Sequence, residues 1–137
     1  MYLRVRSQDA KVPMPKRITF PRIQDARGNL SVAEKLPFEI KRAYWLYDIS
    51  ADATRGGHSH RTLERILIAM SGSFVAVVND EPYKLYKPWI GLYVEPMAWL
   101  DLIDFSGGAV CLALASAEYS EADYIREKSE WTTLNRS

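Results

Sequence analysis

Only two histidines occur in the chain, and they stand two residues apart in Gly57-His58-Ser59-His60. An imidazole titrates at about 6.5 when unperturbed, so it can accept and return a proton near neutral pH. A close pair of them suits general acid-base work. If this stretch is extended, the period-two rule puts both rings on one face of a sheet. The run beyond them, Leu63 to Met70, is apolar enough to be a barrel wall, which would make that face the lumen. A surface loop with two solvated histidines has the same spacing.

An H-x-H pair with a carboxylate is also a common set of divalent-metal ligands. Glu64, four residues after His60, shares the facing of the pair if the strand is unbroken, and Asp101 offers a carboxylate from the second half. Against a metal stand Arg65, immediately after Glu64, and the lack of a third histidine. The favoured reading is a site with no metal and no cofactor.

The elements that must position these side chains read as strands. Ile40 to Ile49, Leu63 to Met70, Phe74 to Val78, Ile90 to Val94 and Ala109 to Ala115 are short apolar or alternating runs rich in Val, Ile, Tyr and Trp. Arg55-Gly56-Gly57, Ser71-Gly72-Ser73, Asn79-Asp80-Glu81-Pro82 and Ser106-Gly107-Gly108 punctuate the runs as turns. Helical periodicity is almost absent before residue 117, which predicts a sandwich or barrel. Ser120-Glu121-Ala122-Asp123, followed by Tyr124 and Ile125, has the layout of a capping box and predicts a short C-terminal helix starting there.

A chain of 137 residues is one domain with a core large enough to need no staples. Hydrophobic residues at 47% and charged residues at 26% exclude a disordered chain. A net charge of +1 gives no field to draw nucleic acid or an anionic membrane. The lone Cys111, inside the apolar run Ala109 to Ala115, reads as a buried thiol. The opening Met1-Tyr2-Leu3-Arg4-Val5-Arg6 lacks an apolar leader, and no apolar run reaches spanning length, so a cytoplasmic protein is expected.

Several segments, taken in order, carry a resemblance. Arg55-Gly56-Gly57-His58-Ser59-His60-Arg61-Thr62-Leu63-Glu64 and the stretch from Gly91-Leu92-Tyr93-Val94-Glu95-Pro96 to Asp104-Phe105-Ser106 resemble the cupin-type sugar 3,4-ketoisomerases, which act on dTDP-4-keto-6-deoxyglucose. Asp25-Ala26-Arg27-Gly28-Asn29-Leu30, Leu114-Ala115-Ser116 and Glu121-Ala122-Asp123-Tyr124-Ile125-Arg126 extend the likeness from about Phe20 to Trp131. The resemblance implies an all-β double-stranded β-helix, a jelly-roll barrel of the cupin kind. It also implies a homodimer, no metal requirement and a dTDP-linked 4-keto-6-deoxy sugar as substrate. The single domain then divides into an N-terminal arm over 1–19, a barrel over 20–116 and a C-terminal helix and tail over 117–137. Two positions depart from the family pattern. Arg65 stands where Gln is usual and where metal-binding cupins carry an acidic ligand, and Leu100 follows Trp99 where a polar or basic residue is usual. The second departure leaves the C4 configuration of the product open.

In such a reaction the C4 ketone acidifies the hydrogen on C3. A base removes that hydrogen to give an enediol, and a proton delivered to C4 leaves the ketone on C3. The resemblance implies His58 as the base, because Arg55-Gly56-Gly57-His58 also looks like the Arg-Gly-x-His segment of the dTDP-sugar 3,5-epimerases. It makes His60 the second acid-base group or oxyanion partner, and Tyr44 a third catalytic candidate. A diphosphate calls for arginines at the barrel mouth, for which Arg27, Arg42 and Arg55 are candidates. Trp99 and Tyr93 are candidates to pack beside the thymine or the sugar. The product would feed synthesis of a 3-amino-3,6-dideoxyhexose of the O-antigen kind. The rival readings are a metal-dependent cupin using His58, His60 and Glu64, and a non-catalytic sugar-binding cupin.

Overall fold

The computed structural model describes residues 14–136, so Met1 to Arg6 and most of the expected arm lie outside the described residues. Within them the strands are β1 (Lys16–Thr19), β2 (Arg22–Asp25), β3 (Gly28–Ser31), β4 (Arg42–Leu46), β5 (Arg55–His60) and β6 (Arg65–Ser71). There follow β7 (Phe74–Val78), β8 (Glu81–Leu85), β9 (Ile90–Val94), β10 (Leu100–Ile103), β11 (Val110–Ala115) and β12 (Tyr124–Ile125), then helix α1 (Lys128–Arg136). One sheet has the order β1-β9-β6-β11-β4 and a second the order β12-β5-β10-β7-β8, while β2 and β3 form a separate hairpin. Every ladder is antiparallel. Antiparallel neighbours that are distant in sequence, closing two five-stranded sheets on one core, make a jelly roll.

Strand β6 shows how alternation sorts the side chains. Leu67 and Ala69 point into the core between the sheets, where they meet Leu92, Val94, Cys111 and Ala113 of their own sheet and Phe74, Ala76, Val78, Leu85, Leu100 and Leu102 of the other. Ile66 and Ile68 point the opposite way and pack with Phe20, Leu114, Leu36 and Phe38. A slip of one residue would exchange the two sets, so both buried faces fix the register. Truncating a core member such as Leu92 to Ala would cost roughly 2–5 kcal/mol.

Most of the expected strands appear with small changes of boundary, and β7 and β9 fall on the predicted limits. Two expected limits are corrected. β1 pairs with β9, so the first sheet begins before residue 20, and β12 pairs with β5, so the second sheet ends after residue 116. The helix is also displaced. Ser120 makes no side-chain cap, Glu121–Asp123 form a single 3-10 turn, and Tyr124 and Ile125 are extended. Asp123 is drawn off by partners elsewhere in the chain, and α1 starts only at Lys128. From there α1 seals the cluster of Trp99, Ile125 and Trp131, with the Trp131 indole donating to the Met97 carbonyl at 2.6 Å.

Candidate active site

The histidines reach the interior because of a bulge. β5 pairs with β10 at Leu100↔His58 and Asp101↔Gly56, which leaves Gly57 as the extra residue. Gly56 has φ +90°, and a Cβ there would lie 2.7 Å from the Leu100 carbonyl oxygen, so only glycine lets the strands approach so closely. Such bulges re-aim the residues that follow them. Beyond this one, His58 is half-buried and His60 fully buried. Their ring centroids lie 5.0 Å apart in an edge-on arrangement. Tyr124, opposite His60 in the ladder, lies 4.9 Å from the His58 ring and 4.3 Å from the His60 ring.

Asp123 fixes one of the two rings. Its Oδ1 accepts from the Thr62 amide at 2.9 Å and the Thr62 hydroxyl at 2.8 Å, and its Oδ2 accepts from the Leu63 amide at 3.2 Å. The same Oδ2 lies 3.2 Å from His60 Nδ1. A carboxylate surrounded by donors takes the imidazole N–H as well, which leaves His60 Nε2 free to accept a proton.

Below the rings is a cavity of about 220 Å³ in the barrel lumen, lined by Tyr44, His58, Arg65, Arg55 and Tyr124 over an apolar floor that includes Leu67, Leu102 and Cys111. A second hollow of about 230 Å³ contains His60 and Asp123, and Arg42 and Tyr124 line both. Burial, and after it the charge of Arg65, lowers the pKa of His58 to about 4. His60 is also pushed down, by burial first and then by Arg65 and His58, with Asp123 opposing. Both rings are therefore neutral at pH 7. Burial raises the Tyr44 phenol, and it pushes the Cys111 thiol up to about 12, which leaves the buried sulfur inert as expected.

Of the candidate residues, Tyr44, His58, Arg42 and Arg55 meet at the lumen, and His60 adjoins them. Trp99 does not: it packs against Trp131 and Ile125, with its backbone amide on the Asn79 side chain. Tyr93 faces the outer side of its sheet and donates to Glu64 Oε1 at 2.6 Å. Arg27 lies on the exposed hairpin, paired with Asp25 at 2.6 Å. Glu64, on which the metal-dependent reading depends, is thus occupied by Tyr93 and parted from the histidines, because β5 ends at His60. Asp101 alternates with the cavity-lining Leu100 and Leu102, which places it on the opposite face of β10. Three further residues stand at the site. Period two from Leu67 is the signal that places Arg65 in the lumen, whereas Asp123 and Tyr124 lie in the segment whose capping-box layout predicts a helix, and the fold sets both against the histidines instead.

A jelly roll closed around a histidine-lined lumen is the architecture of the cupin class. A family model described as "FdtA: WxcM-like, C-terminal" matches residues 14–136. The chain belongs to that family. It is 40% identical over 119 residues, covering 82% of this chain and 86% of the relative, to a TDP-4-oxo-6-deoxy-alpha-D-glucose-3,4-oxoisomerase of Aneurinibacillus thermoaerophilus. It is similar in structure to a 3,4-ketoisomerase from Helicobacter canadensis, with TM-score 0.86 and 38% identity over 90% of this chain and 98% of the other. It is also similar to QdtA, a sugar 3,4-ketoisomerase from Thermoanaerobacterium thermosaccharolyticum in complex with TDP, with TM-score 0.86 and 36% identity over 89% and 94% of the two chains.

Proposed function

We propose that this chain is a sugar-nucleotide 3,4-ketoisomerase that converts dTDP-4-keto-6-deoxyglucose into a dTDP-3-keto-6-deoxyhexose. The observation that carries the reading is the pair of neutral imidazoles, 5.0 Å apart beside a desolvated lumen, in a member of a family with 3,4-ketoisomerase relatives. The reaction needs proton transfer alone. His58 takes the proton from C3 as the C3–C4 double bond forms and the carbonyl electrons move onto O4. The proton on O3 passes to O4, the proton taken by His58 is handed to the free Nε2 of the neighbouring His60, and His60 delivers it to C4, leaving a ketone at C3. Water is kept from the enediol by the apolar floor, and Tyr44 and Tyr124 bound the space in which the ring turns over.

Arg55 and Arg42, nearer the opening than Arg65, serve the diphosphate, a role suited to paired guanidinium donors. The active form is a homodimer in which the exposed β2–β3 hairpin bears on a second copy and brings Arg27 to its pocket. A nucleotide-linked substrate suits the cytoplasm, and among the described residues no helix is long and apolar enough to cross a membrane. Proton NMR of the purified protein with dTDP-4-keto-6-deoxyglucose tests the reaction. The H3 signal should disappear and a new H4 signal appear, its couplings giving the C4 configuration. An unchanged spectrum would sink the reading.

A further inference from the structure

Arg65 is the largest side chain that the fold encloses completely, at 1% exposure. By the alternation of β6 it shares the inward face with Leu67 and Ala69, and it is one of the residues that line the lumen cavity, with His58 and Tyr44. Its Nε, Nη1 and Nη2 find no hydrogen-bond partner among the described residues. Tyr44 is the group that most favours its charge, its phenol lying near enough to act as a loose acceptor but without the geometry of a full hydrogen bond. A buried charge without partners is strongly destabilising, and a guanidinium cannot escape by losing its proton. A fold that keeps one is matched to an anionic or strongly polar partner arriving from outside.

Depth distinguishes this arginine from the other cations of the pocket. Arg55 is exposed and Arg42 half-buried, so they face what remains near the opening. Arg65 faces what reaches the floor beside the histidines, and on the ketoisomerase reading that is the sugar. We propose that Arg65 is a catalytic residue whose guanidinium fork donates to the neighbouring oxygens O3 and O4 and holds the enediolate. As His58 takes the C3 proton, the carbonyl electron pair moves onto O4, and the N–H donors of Arg65 meet the charge that develops there. The charge is discharged when the proton of O3 moves to O4 and C4 is protonated. Two parallel donors match two vicinal oxygens in the way they match a carboxylate. A fixed donor in a desolvated site also favours the enediolate over the ketone.

Arg65→Met and Arg65→Lys test this beside the wild type. Kinetics on dTDP-4-keto-6-deoxyglucose, C3-proton exchange in D₂O, TDP binding by calorimetry and thermal melting are the readouts. Turnover and exchange should fall together by about 10²–10³-fold in Arg65→Met, because both steps pass through the enediolate, and by at least about tenfold in Arg65→Lys, which keeps the charge but not the fork. TDP affinity should stay within about threefold, and Arg65→Met should melt no lower than wild type because it removes a buried charge. If Arg65→Met fails to fold, the comparison rests on Arg65→Lys, which keeps a cation of similar reach. Near-normal turnover in a folded variant overturns the assignment, and so does a rate loss matched by lost TDP affinity, which would move Arg65 to the diphosphate. A wild type inactive on the keto sugar is a separate result, which overturns the ketoisomerase reading itself.

Discussion

His58 and His60 are chemically alike but differently held. His58 lines the lumen beside Arg65, while His60 is anchored through Nδ1 to Asp123. That difference predicts a division of labour. His58→Asn should abolish both turnover and C3-proton exchange in D₂O, with TDP binding retained. Loss of a general base typically costs about 10²–10⁴-fold in kcat. His60→Asn should also lose turnover but continue to exchange the C3 proton, because its part falls after the enediol. Exchange that survives in His58→Asn and vanishes in His60→Asn would reverse the roles. The low pKa of His58 fixes the pH behaviour as well: kcat/KM should be flat from about pH 8 to pH 5 and fall only as the ring protonates near its pKa of about 4. The same shift bears on stability. The unfolded ring titrates at about 6.5, so the unfolded state binds more protons between that pH and about 4, and the melting temperature should drop through that window, less so in His58→Asn. The histidine pair was legible in the sequence because an H-x-H spacing on a strand puts both rings on one face. The misplaced aromatics were not. Trp99 and Tyr93 have the composition of ligand contacts, but facing and packing against Trp131 and Glu64 decide where they go.

At the scale of elements, the site depends on a crossing of β5, β12 and the 3-10 turn at Glu121–Asp123. Asp123 joins that turn to the end of β5 through Thr62, Leu63 and His60. Asp123→Asn keeps the shape but turns an amide N–H toward His60 Nδ1. The ring is then driven to its other tautomer, and Nε2 becomes a donor. That N–H also faces the Leu63 amide, so the expected outcome is a loss of kcat on the order of 10²-fold with a melting temperature lowered less than in Asp123→Ala. Asp123→Ala should lose both, since two backbone amides are left without their acceptor. Equal, near-wild-type rates for the two variants would show that Asp123 does not act through His60. The capping-box misreading has the same origin. Ser-x-x-Asp satisfies a helix start locally, but here the carboxylate finds four better-placed donors sixty residues away, and tertiary contacts override the local preference. The runs legible as strands were those buried on both faces, such as β6 and β11, or clearly alternating, such as β4 and β7. β8 carries Pro82 and lies at a sheet edge, and β10 has four residues, too few for alternation to register.

For the whole molecule, the weakest point is the hairpin. All eight residues of β2 and β3 are exposed, including Ile23 at 56% and Leu30 at 58%. A lone two-stranded ribbon is marginal in water. Arg22, stacked 3.9 Å above the Trp89 ring, is its tie to the barrel. The first sheet ends at β4, an edge strand that exposes Trp45 at 57% and also carries the cavity-lining Arg42 and Tyr44. A hairpin from a second copy laid on that edge would cover Trp45, satisfy the open edge and bring Arg27 to the mouth of the neighbouring pocket. Light scattering at micromolar concentration should therefore give twice the mass of the chain. The pair Ile23→Asp and Leu30→Asp should yield a monomer with a raised KM, since that pocket loses its visiting arginine. Arg27→Ala should leave the dimer intact and raise KM alone, with kcat little changed, because a diphosphate contact acts on binding rather than on proton transfer. A wild-type monomer with full activity would remove both the dimer and the role of Arg27. A dimer that survives the double aspartate variant would place the interface elsewhere, with the outer-face cluster around Phe20, Leu36 and Phe38 the next surface to test.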